Sequence, residues 1–231
     1  MSKEKSKKKK LLLGDSVAKQ LVMYNKDNSQ INSLACNQAV SMVGHYLLFK
    51  NYLAANNKID TLVVLINPLV SFKNNLDQLF TFHYFLKPFY TEHNKSEFSE
   101  MVYNQIHKIP FYSASQFPFI KATNWSPDFK STDPKLTTFL SPISREYLLK
   151  IKDLAEQNNI TLLIYPPPLR QSLKPSIDSI RASDINVQGL EKEFNVYFNR
   201  VKYIDDQFYV DQPHFKKKFL KSHPNLLSEI L

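Results

Sequence analysis

The chain holds one cysteine, three glycines and one tryptophan in 231 residues, and no apolar run of membrane-spanning length. With Cys36 alone, no internal disulfide and no cysteine-based metal cluster can form, which points to a reducing, cytoplasmic setting. Leu11–Leu13 is far too short for the apolar core of a secretory signal, so the sequence reads as a soluble protein with no integral membrane segment. Internal repeats are absent, and so is low-complexity sequence outside the first ten residues. With glycine only at Gly14, Gly44 and Gly189, the one placed directly before Asp15-Ser16 is not filler.

What is present is an ordinary globular balance, 43% hydrophobic and 22% charged. The length fits one domain with a substantial core. A net charge of +9 resembles that of a nucleic-acid binder until it is located. Six lysines and one glutamate fall within residues 1–10, which leaves an excess of only four charges in the rest. The run reads as a disordered, solvated tail, with a tether to an anionic membrane surface or a remnant of an expression tag as alternatives. Nothing beyond it suggests a nucleic-acid partner, and the sequence is silent on oligomeric state.

Residues 11–231 read as a single α/β domain. Leu11–Leu13 forms a short buried strand, broken at Gly14, and the helical pattern from Ser16 buries Val17, Leu21 and Val22. Gln30–Cys36 reads as a second strand and Ala39–Asn51 as a helix. Ile59–Ile66 is apolar and β-branched, as expected of a central parallel strand, and ends at Asn67-Pro68. Residues 71–140 break the alternation. They are rich in aromatics such as Phe82, Phe85, Phe89 and Trp125, with helices expected at Leu76–Leu86 and Glu97–His107 and irregular chain over Phe111–Pro134. The segment is too long for a simple crossover and reads as an insertion. Its aromatics suit core and lid packing better than a platform for a sugar or acyl group. Alternation resumes with a helix over Ser141–Asn158, a strand over Ile160–Tyr165 stopped by three prolines, a helix over Ile185–Phe198, a strand over Val201–Ile204, and an amphipathic lysine-rich helix over Phe215–Leu231 broken at Pro224. Right-handed crossovers make this a three-layer α/β sandwich on a roughly five-stranded, parallel, flavodoxin-like sheet with an aromatic-rich helical insertion.

Sites in such sheets form at the carboxyl ends of the strands. That edge gathers Gly14-Asp15-Ser16, Cys36-Asn37-Gln38, Asn67-Pro68, Tyr165-Pro166 and the loop from Asp205 to His214. A serine at a sharp strand-to-helix turn is well placed as a nucleophile, with helix amides near to hold an oxyanion. The same stretch is equally consistent with an Asp or Ser that simply caps a helix.

Gly14-Asp15-Ser16 after the first strand, with Asp211-x-x-His214 just before the last helix, resembles the SGNH (GDSL-type) hydrolase superfamily. The likeness is closest to the branch that acts on acyl groups of cell-surface glycans. The resemblance implies Ser16 as nucleophile, His214 as general base and then acid, and Asp211 as the carboxylate that orients it. It also implies an oxyanion hole built from the serine amide, an amide after the second strand and an asparagine after the third. Here Asn37 and Gln38 stand where that family has a glycine, and Asn67 stands for the asparagine, within Ile-Asn-Pro-Leu rather than Gly-x-Asn-Asp. The implied activity is that of a serine esterase or O-acyltransferase on an oxygen ester, such as O-acetyl on a carbohydrate, needing no cofactor. The altered glycine blocks keep a second reading open, a catalytically silent domain of the same fold that binds a glycan or a protein.

The remaining candidates have plainer readings. His45 lies in an apolar helix and reads as a packed histidine. His83, His93 and His107 lack metal-ligand spacing, so no metal is expected. Asp205-Asp206 reads as a solvated turn, and Cys36 as a small buried hydrophobe. Arg170, just past the prolines, is a candidate for holding a substrate carboxylate or phosphate, or else a surface arginine.

Overall fold

Leucine at three successive positions of the first strand buries both faces of the sheet at once, and the rest of the architecture follows from covering them. The computed structural model describes residues 4–118, 120, 139–182 and 187–231. In chain order come β1 (Lys10–Gly14), α1 (Ser16–Tyr24), β2 (Ile31–Ser33), α2 (Ser41–Ala54) and β3 (Thr61–Leu65). After a π-helical turn at Phe82–Leu86 come α3 (Lys87–Phe89) and α4 (Glu100–Ile106), then α5 (Pro142–Gln157), β4 (Thr161–Tyr165) and β5 (Leu169–Arg170). The chain closes with α6 (Lys174–Ala182), α7 (Glu191–Asn199), β6 (Tyr203–Ile204), α8 (Lys217–Ser222) and α9 (Leu226–Ile230).

The main sheet is parallel, in the order β2-β1-β3-β4, with Gly14 level with Leu65 and Leu65 level with Tyr165. The period of two divides the strands cleanly. Leu11, Leu13, Leu62, Val64 and Ile164 point into the larger core with α2, α5 and α7. Leu12, Val63, Leu65 and Tyr165 point into a smaller one with α1, α8 and α9. This is a three-layer α/β sandwich with the expected parallel order. Ser141 caps α5 by accepting from the Ser144 amide, with Pro142 in the first turn. No helix among the described residues is long and apolar enough to cross a membrane.

Two expectations are corrected. The sheet has four strands and not five: Tyr203–Ile204 pairs with Leu169–Arg170 in a separate two-stranded ribbon. The reason is steric. The residues after Tyr165 are three prolines, which cannot extend a ladder. Lys192, Glu193 and Val196 of α7 lie along the outer edge of β4, around a hollow of about 160 Å³, where a fifth strand would have to sit. Second, the helix expected over Leu76–Leu86 is helical only over Phe82–Leu86, because Leu76 and Phe80 hold left-handed backbone (φ 63° and 72°) that breaks any regular turn before it. The break expected at Pro224 is present and parts α8 from α9.

The second strand is shorter than expected, yet its hydrogen bonding continues, with the amides of Leu34 and Cys36 donating to the carbonyls of Leu12 and Gly14. The insertion's described part packs outside α2 and α5: Glu97 takes Tyr46 and Lys50, and Tyr147 donates to the Glu97 carbonyl. Phe82, Phe85, Phe89 and Phe98 are buried there, while Trp125, Phe119 and most of the Phe111–Pro134 stretch lie outside the described residues, as does Ile185. In the lysine-rich stretch ahead of β1, the Ser6 amide donates to Asn57, which in turn donates to the Glu4 carbonyl.

Candidate active site

The turn from β1 into α1 serves both as a helix cap and as a mount for a serine. Asp15 is the cap: its Oδ1 accepts from the amides of Val17 and Ala18 at 3.0 and 3.4 Å. Its Oδ2 accepts from the Asn67 amide (2.9 Å) and from Ser71 Oγ (2.7 Å), so one buried carboxylate fastens the turn to the chain beyond β3. Gly14 is required by proximity. A Cβ there would fall 2.4 Å from Ala18 Cβ and 2.5 Å from the Leu65 carbonyl oxygen, so any side chain would push α1 off the sheet. The cap takes the second and third helical amides and leaves that of Ser16, the first helical residue, for another partner.

Ser16 Oγ faces the other end of the chain. His214 Nε2 lies 2.8 Å from it, and Nδ1 lies 2.9 Å from both Asp211 carboxylate oxygens. The two residues sit at the tip of a small antiparallel hairpin. Val210 donates to the His214 carbonyl, Tyr209 bridges Phe215, and Lys216 donates to the Phe208 carbonyl. Asp211 Oδ1 also accepts the His214 amide, so the carboxylate fixes both the backbone and the ring of the histidine. Burial raises the Asp211 pKa, but the His214 ring and amide bonds, with the charges of His214 and Arg170, outweigh it and hold the carboxyl below its ordinary value.

A glutamine sets the distance between the two halves. Gln20, one turn after Ser16, donates from Nε2 to the Phe215 carbonyl (2.9 Å) and accepts the Phe215 amide at Oε1 (3.0 Å). This clasp spans 195 positions of sequence and ties the residue after His214 to the helix that carries Ser16. The Phe215 ring stacks between Tyr209 and Phe219, and Tyr209 donates to the Pro168 carbonyl.

The second-strand loop approaches from the other side. Asn37 caps the short 3-10 turn Gln38–Val40 by accepting the Ala39 amide, and again the first amide, that of Gln38, is left out of the cap. Gln38 Oε1 lies 3.4 Å from Ser16 Oγ, at the outer limit of a hydrogen bond. The loop is held by Asn74, which is fully buried: its Nδ2 donates to the Gln38 carbonyl, and its own carbonyl accepts from Ser141 and Ser144 of the α5 cap.

Of the residues singled out from sequence, Ser16, Asp211, His214 and Gln38 therefore converge. Asn37 acts on its own turn. Asn67 is buried, with Oδ1 accepting the Leu69 amide, and it meets the site through its backbone, at Asp15. Arg170 is spent on the protein itself: it pairs with Asp206 at 2.9 Å and reaches the Asp211 carbonyl at 3.5 Å, while Asp206 also accepts the Ser172 amide. Asp205 accepts the Gln207 amide, so neither neighbouring aspartate faces the His214 ring. Gln20, Ser71 and Asn74 are the residues that sequence reasoning missed. Gln20 alone left a trace, its spacing of four from Ser16. Burial lifts the Cys36 thiol to about 12, which keeps it protonated beside the site. Among the described residues no cluster of His, Cys, Asp and Glu is arranged to hold a metal ion.

No protein-family model matches the chain, and none of the curated proteins matches it.

Proposed function

We propose that the protein is an SGNH-like serine esterase or O-acyltransferase that acts on an oxygen ester, with O-acetyl on a carbohydrate as the preferred substrate class. The observation that carries the proposal is the hydrogen-bonded line from Ser16 Oγ through His214 to Asp211, drawn from opposite ends of the chain. Serine is a poor nucleophile at its free pKa and needs an imidazole to take its proton. With Nδ1–H donated to Asp211, the Nε2 lone pair of His214 faces Ser16 Oγ, the tautomer that the reaction requires. Ser16 attacks the ester carbonyl as His214 accepts its proton. His214 then returns that proton to the departing alcohol oxygen, leaving acyl-Ser16. A water, or a sugar hydroxyl in the transferase case, repeats the sequence in reverse roles and frees the serine.

The tetrahedral oxyanion needs donors, and the two helix-start amides left out by their caps, those of Ser16 and Gln38, are assigned that role. This dispenses with the glycine that the family carries at Gln38. The Gln38 side chain crowds Ser16 Oγ, which favours a short acyl group such as acetyl. Arg170, paired with Asp206, is given the hairpin and not the substrate as its partner. The reaction is assigned to the reducing cytoplasm, on the support of the lone cysteine.

One observation favours the silent-domain alternative. Asn67 uses its Oδ1 within its own turn, so a side-chain oxyanion donor after β3 is not secured. Turnover decides between the two. Hydrolysis of an aryl acetate by the wild type, reduced on the order of a thousandfold or more in Ser16→Ala and in His214→Ala and no further in the pair, is the expected result. Equal rates for wild type and Ser16→Ala would contradict the assignment of the nucleophile.

A further inference from the structure

The lysines outside the tail are not spread evenly. On α1, Val17, Ala18 and Leu21 are buried, and Lys19 and Met23 occupy the opposite side. On α8, Phe219 and Leu220 are buried, and Lys217, Lys218 and Lys221 stand exposed. Both helices pack on the same face of the sheet through one cluster, so their exposed sides look outward in the same direction. Neither helix contains an Asp or Glu. Among the described residues, the lysine–carboxylate pairs fall on other elements: Lys50 with Glu97, Lys95 with Glu92, Lys150 with Glu146, Lys152 with Glu193 and Lys174 with Asp178. The four lysines of α1 and α8 take part in none of them. Met23, 66% exposed, lies one helical turn from Lys19.

We infer that this face of α1 and α8 docks on an anionic lipid bilayer, independently of the reaction at Ser16. The chemistry of the cations selects the partner. All four are lysine and none is arginine, the residue suited to bidentate recognition of discrete phosphates and bases. A lysine is a hydrated point charge on an apolar stem, which fits a diffuse negative surface and lets the stem lie against it. No aromatic side chain stands exposed on either helix to stack a nucleic-acid base, whereas the Met23 thioether is placed to enter the headgroup region. Each lysine at an anionic leaflet multiplies binding by roughly fivefold, so four account for several hundredfold. Docking by the sides of these helices leaves the end of α1, with Ser16, opening along the surface and not pressed beneath it.

The test is cosedimentation of the full chain with vesicles of phosphatidylcholine, alone or mixed with phosphatidylglycerol, at low and high salt. Binding to the mixed vesicles only, weakened by salt, is expected. Replacing Lys19, Lys217, Lys218 and Lys221 together by Gln should lower it roughly several hundredfold. The corresponding Arg variant should retain it, and unchanged melting and aryl acetate turnover would establish that both variants are folded. Equal binding to both vesicle types would overturn the inference. So would undiminished binding by the Gln variant with loss on replacing the tail lysines instead, or a preference for duplex DNA over the mixed vesicles.

Discussion

The two faces of the sheet are built on different principles. On the α2–α5 side, large aromatics pack edge to face, with Phe72, Phe139, Phe194 and Tyr197 as neighbours, and Lys150 and Lys152 are paired with Glu146 and Glu193. The α1–α8 side is thinner. Its geometry rests on a few directed hydrogen bonds, the Gln20 clasp and the Asp211–His214 hairpin among them, and among the described residues the lysines of α1 and α8 take part in no ion pair. Packing tolerates small adjustments, but a hydrogen bond at 2.8 Å between residues 198 apart does not. The lesson is a division of labour: the thick face supplies stability, the thin face supplies the proposed chemistry, and Asp15 belongs to both.

That division can be broken at three points. The largest effect is expected at Asp15. Asp15→Ala removes a cap and strands the Ser71 hydroxyl and the Asn67 amide, a loss of about 4 kcal/mol in denaturant unfolding together with most of the turnover. If stability fell with activity intact, Asp15 would belong to the scaffold alone.

His45, fully buried on the thick face, comes next. Burial lowers its pKa from 6.5 to about 4. The unfolded chain therefore takes up a proton from about pH 6.5 downward, while the folded one resists until about 4, so protonation favours unfolding across that window. The loss is about 3 kcal/mol between those limits, constant below them. His45→Leu should flatten the pH profile of stability in this range and leave ester turnover at neutral pH unchanged. A profile as steep in the variant as in the wild type would remove His45 as its source.

The smallest effect on stability is expected on the thin face. Gln20→Ala should lower kcat about tenfold through loss of the Ser16–His214 spacing, cost about 1 kcal/mol of stability, and leave KM nearly unaltered. A change in KM with kcat retained would show that Gln20 touches substrate and does not position the hairpin.

The sequence is most legible where one physical requirement acts alone. Leu11–Leu13 and Thr61–Leu65 must be covered on both faces, and Gly14 is demanded by a close approach, so the strands and the Ser16 turn could be read directly. Asp211 and His214 are legible through a resemblance, since an Asp-x-x-His pair is a weak signal alone and gains weight only from its place before the last helix. Tyr203–Ile204 misled because its composition is that of a sheet strand; its exclusion depends on α7 occupying the β4 edge, a competition that no local pattern records. Left-handed backbone at Leu76 and Phe80 leaves no mark in residues that normally avoid it. Asn74 carries no local signal and Gln20 only its spacing from Ser16, because their partners are distant in sequence and only tertiary structure brings them together.

If Ser16 is made nucleophilic by His214 and Asp211 as proposed, an aryl fluorophosphonate should trap it, with the adduct located by mass spectrometry. The wild type should take up one equivalent at Ser16, Asp211→Asn and His214→Ala should label on the order of a hundredfold more slowly or worse, and Ser16→Ala should not label. A wild type that stays unlabelled, or that carries the phosphonate at another residue, would rule out Ser16 as the nucleophile.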